Sequence, residues 1–100
     1  MYESKIRSDE LDQLYSALLK LNSIEDCYRF FDDLCTFSEV KAMAQRFMVA
    51  RMLEDGKTFT QIEEETGTSS ATITRVNRCM KYGADGYKLA LERMKNGGGE

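Results

Sequence analysis

The sequence predicts an all-α chain of six helices. Three observations carry that expectation: there is no proline in 100 residues, the chain is rich in Leu, Met, Ala, Glu and Lys, and no stretch alternates apolar and polar residues as a strand would. One hundred residues suit one domain with a core of modest size. No apolar run approaches the length of a membrane-spanning helix, and the N-terminus lacks the apolar core of a signal peptide. Cys27, Cys35 and Cys79 form an odd set without a Cys-x-x-Cys pair, and histidine is absent. This argues against a disulfide framework, a zinc site or any other metal centre. It favours a reducing cytoplasm, with the three thiols buried as small apolar side chains.

The helices can be taken in order. Ser8 caps the first, to about Leu21, with Asp9 and Glu10 complementing its dipole and Leu11, Leu14, Tyr15, Leu18 and Leu19 along one stripe. Ser23 starts the second, with Ile24, Cys27, Tyr28, Phe31, Leu34 and Cys35 on one side. Ser38 opens the third, to about Glu54, before the Asp55-Gly56 break. Val40, Met43, Ala44, Phe47, Met48, Val49, Ala50, Met52 and Leu53 cover most of its circumference, and such a helix belongs in an interior. So small a chain has little with which to surround it, so a second copy is the economical cover. The fourth helix starts at Thr58, where Thr-x-x-Gln to Gln61 fits the capping-box pattern, carries Ile62 inward and stops at Gly67. Ser69 caps the fifth, whose Ile73, Val76 and Met80 form an apolar stripe, and Tyr82-Gly83 closes it. The sixth runs from near Asp85 to Lys95, with Tyr87, Ala90, Leu91 and Met94 packing. Residues 1–57 thus read as dimerisation helices, 58–82 as a helix-turn-helix, 84–95 as a C-terminal helix and 97–100 as a flexible tail. All but the tail form a single domain, 1–96, without an internal repeat.

The fifth helix points to DNA. Ser70, Ala71, Thr74, Asn77, Arg78 and Lys81 lie opposite its apolar stripe, short near the N-terminus and basic or amide-bearing further on. Short side chains let a backbone approach base edges, and cations meet phosphates. Ser70, Ala71 and Thr74 are the candidate base readers and Arg75, Arg78 and Lys81 the phosphate contacts. Ser69, Asn77, and Thr60 and Gln61 of the preceding helix complete the expected surface. The net charge of −3 is low for such a role, but its distribution is uneven. Residues 1–40 hold four bases against nine acids, a net of −5, and residues 41–100 hold ten against eight, a net of +2. Between Ser69 and Tyr82 there are three cations and no acid, which is what counts within a screening length of ~8 Å. Glu63, Glu64 and Glu65 oppose broad, sequence-blind affinity.

The run Gly67-Thr68-Ser69-Ser70-Ala71-Thr72-Ile73-Thr74-Arg75 resembles the recognition helix of the tryptophan repressor family, and the likeness extends more loosely back to about Leu34. With the continuation Val76-Asn77-Arg78-Cys79, the chain looks closest to the YerC/YecD-type group of Trp-repressor-related proteins. The resemblance implies a Trp-repressor-like intertwined homodimer. Two recognition helices would stand about one DNA turn apart, roughly 34 Å, facing a palindromic operator. It also implies a corepressor pocket. Arg46 and Arg75 match the family's two arginines, Thr36 and Thr72 its threonines, and Glu39 an acid. Guanidinium planes can sandwich an indole, and one can pair with a carboxylate. Two positions depart: Val76 replaces a glycine beside the indole, and Cys79 a serine that meets the ligand's amino group. Two readings stay open here: a small-molecule effector other than tryptophan, which fits poorly, or no effector, with Arg46 and Arg75 serving only packing and salt bridges; no resident cofactor is expected.

Two readings of function stay open. The first is a dimeric transcriptional regulator, most simply a repressor, with double-stranded DNA as partner. The second is a helical adaptor that uses the same fold to bind another protein, which the acidic N-terminal half favours. No histidine, Gly-rich phosphate loop or recognisable pair of acids suggests an enzyme.

Overall fold

The computed structural model describes residues 2–97, which form six α-helices and no strand: α1 (Asp9–Leu18), α2 (Ile24–Leu34), α3 (Phe37–Glu54), α4 (Phe59–Thr66), α5 (Ser70–Tyr82) and α6 (Gly86–Gly97). They divide into two compact units, Met1–Phe37 and Ser38–Glu100.

In the first unit both helices begin where the sequence places them. The Leu11 amide donates to Ser8 Oγ at 3.2 Å, and the Asp26 amide to Ser23 Oγ at 3.0 Å. Before α1, Arg7 pairs with Glu3 at 3.4 Å and with Asp12 at 3.5 Å. α1 ends three residues earlier than expected. Beyond Leu18, the Lys20 amide reaches Ala17 O at 3.0 Å and the Leu21 amide Leu18 O at 3.1 Å, a tighter turn than an α-helix makes. Neither α1 nor α2 buries a single residue. Leu11, Leu14 and Leu18 are only half-buried, Leu19 is 84% exposed, and on α2 Ile24 is 77% and Tyr28 65% exposed. Phe30 and Phe31 meet edge to face at 5.7 Å. The expectation of buried thiols is corrected: Cys27 and Cys79 are exposed and Cys35 is half-buried, because α2 buries no residue and Cys79 lies off the buried Ile73-Val76-Met80 stripe of α5.

The second unit has a core. Val49, Ala50 and Met52 of α3, Ile62 of α4, Ile73, Val76 and Met80 of α5, and Leu91 of α6 form one cluster, with Phe47, Leu53 and Tyr87 packed against it. Ile62, Ile73, Val49 and Val76 are almost wholly removed from water, worth about 1.5–3 kcal/mol each. α3 ends in a Schellman turn: Gly56 has φ +88°, its amide reaches Leu53 O at 3.0 Å, and the Lys57 amide reaches Met52 O at 3.0 Å. The core takes only the C-terminal half of α3. Met43 and Met48 stay 38% and 47% exposed, so the chain by itself does not enclose this helix. α6 also departs from expectation. Leu91 is buried and Tyr87 half-buried, while Ala90 is exposed and Met94 lines an open cleft with Arg51, Glu54, Asp55 and Lys95. The helix extends through Gly97, the first residue of the expected tail, and residues 98–100 of that tail lie outside the described residues.

Candidate nucleic-acid interface

The segment from Thr58 to Gly83 holds its two helices through local bonds. Thr58 Oγ1 accepts from the Gln61 amide at 3.1 Å, and Gln61 Oε1 accepts from the Thr58 amide at 2.8 Å, a complete capping box. Gly67 ends α4 with φ +72°, the left-handed region that glycine enters without steric cost, and its amide bonds Glu63 O at 2.9 Å. Ser69 then caps α5, accepting from the Thr72 amide at 3.2 Å and donating to Thr72 Oγ1 at 3.2 Å. Gly83 closes α5. A Cβ there would collide with the Cys79 carbonyl oxygen, to which the Gly83 amide is bonded at 2.8 Å.

The turn contains a feature that the sequence reading missed. Thr66 Oγ1 donates to the Ile62 carbonyl at 2.6 Å, accepts from the Thr68 amide at 3.1 Å and stands 2.8 Å from Thr68 Oγ1. Thr68 is a buried polar residue, 5% exposed, and no described buried side-chain polar atom lacks a partner. A threonine on each side of a helix-ending glycine is a weak sequence signal, since only the left-handed φ of Gly67 brings the two hydroxyls together.

With Ile73, Val76 and Met80 facing the core, α5 turns a polar row outward. Ser70, Thr74, Asn77 and Lys81 follow one another at i, i+4, i+7 and i+11, with Ala71 and Arg78 beside them. Ser70, Ala71, Thr74, Arg75, Arg78 and Lys81 are exposed, and Asn77 is half-buried. Ser69, Thr60 and Gln61 are exposed too, but the Ser69 hydroxyl and Gln61 Oε1 are engaged in their caps. Of the three acids on α4, Glu65 is tied to Lys57, both carboxylate oxygens lying 3.0 Å from Nζ. Its charge is therefore partly offset before it can repel a polyanion.

The expected effector residues lie on α5, on α3 and just before α3. Thr72, Arg75 and Cys79 share a flank of α5 beside the outward row, half-buried, exposed and exposed respectively. Val76, expected at the ligand, is 1% exposed within the core and does not belong to that flank. Arg46 is half-buried on α3 and Glu39 exposed near its start, while Thr36 precedes α3 and is exposed. Cys79 lines a shallow apolar groove of about 390 Å³ with Phe47, Gly83, Ala84, Gly86, Tyr87 and Ala90, and neither Arg46 nor Arg75 lines it.

A glycine-ended helix, a hydroxyl-capped second helix and a shared core behind them define a helix-turn-helix domain. The family profile described as "Trp repressor protein" matches residues 9–95, and the chain belongs to the Trp repressor family. It is 56% identical to the uncharacterized protein YerC of Bacillus subtilis (strain 168) over 95 residues, which is 95% of this chain and 91% of that one. Among solved structures it is similar to a candidate Trp repressor from Staphylococcus aureus, with a TM-score of 0.87, 47% identity and 91% of each chain covered. It is equally similar to a TrpR-like protein from Eubacterium eligens ATCC 27750, at a TM-score of 0.87 and 44% identity, covering 91% of this chain and 94% of that one. No described helix is long and apolar enough to cross a membrane.

Proposed function

We propose that the protein is a dimeric transcriptional regulator, most simply a repressor, that reads a palindromic operator through α5. The observation that carries this is the outward row of α5. From Ser70 to Lys81 it is exposed or half-exposed, free of acids, and its polar groups make no side-chain hydrogen bond among the described residues. In this reading Ser70, Ala71 and Thr74 meet base edges and Asn77 stands beside them. Arg75, Arg78 and Lys81 hold phosphates, with Thr60, Gln61 and the Ser69 backbone helping to set the register. The caps keep this surface rigid before DNA arrives, so little ordering is charged against binding.

The dimer is supported by what the single chain leaves uncovered: α1 and α2 bury no residue fully, and neither does the N-terminal half of α3. Faces this apolar require cover, and a second copy supplies a matching one. An effector is a further part of the reading. Arg46 is half-buried without an ion pair among the described residues, and an anion beside Arg46 and Arg75 would satisfy it. Tryptophan suits the site poorly, since Val76 is committed to the core.

The test is selection from a pool of duplexes with randomised centres, with and without tryptophan. Wild-type protein is expected to enrich a palindrome, and Thr74→Ala with Arg78→Ala to lose it while keeping helical content and assembly. An unchanged affinity in that variant would sink the assignment of α5. Failure of the wild type to enrich any duplex would favour the protein adaptor, for which the net charge of −5 on residues 1–40 is the relevant surface.

A further inference from the structure

We infer that Thr66 is a positioning residue for DNA recognition, its hydroxyl acting as the clamp that sets α5 against α4. The inference rests on the reading of α5 as the DNA-contacting helix.

Four observations converge on this one side chain. Its hydroxyl donates to the Ile62 carbonyl, on the turn of α4 that carries the fully buried Ile62. It accepts the amide of Thr68, which stands on the far side of the left-handed Gly67. It lies 2.8 Å from the hydroxyl of Thr68, itself 5% exposed. Gly67 itself has nothing within 4 Å of where a Cβ would stand, so it contributes no side-chain packing to the turn. Beyond the shared Ile62–Ile73 core, the side-chain hydrogen bonds that span Gly67 therefore run through a single hydroxyl, three residues before the Ser69 cap. Loss of that hydroxyl leaves the Thr68 amide and hydroxyl unmet in a buried place, and the turn relieves this by opening toward water. Opening tilts the N-terminus of α5, where Ser70, Ala71 and Thr74 stand, and leaves Arg78 and Lys81 further along free to attract phosphates as before. The clamp should govern how well a correct sequence is distinguished, and leave untouched the attraction to DNA in general.

The experiment compares wild type, Thr66→Val and Thr66→Ser on the duplex the wild type enriches and on a random duplex, well below the unfolding temperature. Valine keeps the shape and removes the hydroxyl; serine keeps the hydroxyl. Expected for Thr66→Val is a loss on the order of tenfold on the enriched duplex, the scale of one unmet buried hydrogen bond, with random-duplex binding unchanged. Serine should restore the wild-type ratio. An unchanged ratio in Thr66→Val, or an equal loss on both duplexes, overturns the clamp. Amide exchange of the 66–69 turn without DNA gives an independent reading. Thr66→Val must expose the Thr68 amide, and unchanged protection refutes the clamp even if the wild type enriches no duplex. That last result on the wild type would refute the DNA reading alone.

Discussion

At the residue scale, backbone geometry makes two neighbouring glycines unequal. Gly83 ends α5 where a side chain would meet the Cys79 carbonyl, whereas Gly86 has open space around it. Gly83→Ala should therefore lower stability by about 1–3 kcal/mol through overpacking. Gly86→Ala, at the first position of α6, should be neutral or slightly stabilising, because alanine restricts only the unfolded chain there. Thermal unfolding of the two variants checks this, and equal midpoints would contradict it. Much at this scale was legible in advance. Ser8, Ser23, Thr58 and Ser69 cap where the sequence places them, since a cap involves only three or four consecutive residues. Thr66 was not legible, because its bonds depend on the φ of Gly67 and on Thr68 being turned inward. The burial of Val76 was legible from its stripe, whereas its place at a ligand came from resemblance and has no support in its 1% exposure.

At the element scale, α3 is the instructive case. Its sequence is apolar nearly all round and predicts an interior helix, yet only Val49, Ala50 and Met52 are buried. The order of apolar residues tells that a helix requires cover, but not whether that cover comes from its own chain. α4, α5 and α6 can reach only its C-terminal half, through Ile62, Ile73, Val76, Met80 and Leu91. The uncovered methionines then give a direct test of the proposed dimer. Met43→Glu with Met48→Glu should convert dimer to monomer at micromolar concentration in sedimentation, while the cluster around Ile62 and Ile73 survives. A dimer that persists with two buried carboxylates would place the contact elsewhere, since unpaired charges in an interface cost several kcal/mol. α6 teaches the smaller lesson that periodicity overstates packing at a helix end. Leu91 is buried, but Met94 three residues on is half in water.

For the whole molecule, the charge pattern decides what kind of DNA binding is possible. A net charge of −3 gives no general attraction to a polyanion, so the proposed DNA reading assigns affinity to Arg75, Arg78 and Lys81, presented together. With three such cations on each of two copies, the logarithm of affinity should fall against the logarithm of salt with a slope of about −5. Titrations at several salt concentrations measure it, and a slope near zero would contradict the assignment of those three cations to phosphates.

The uncovered faces of α1 and α2 carry a consequence for how the chain fares in dilute solution. Helices that bury no residue of their own are held by whatever lies over them. With a second copy as that cover, residues 8–34 are ordered only while copies outnumber the threshold of association. Below it, the exposed Leu19, Ile24 and Tyr28 become the first bonds open to a protease, while the Ile62–Ile73 core remains closed. In the proposed dimer the chain would carry its own gauge of abundance: scarcity would mark it for removal, and plenty would protect it.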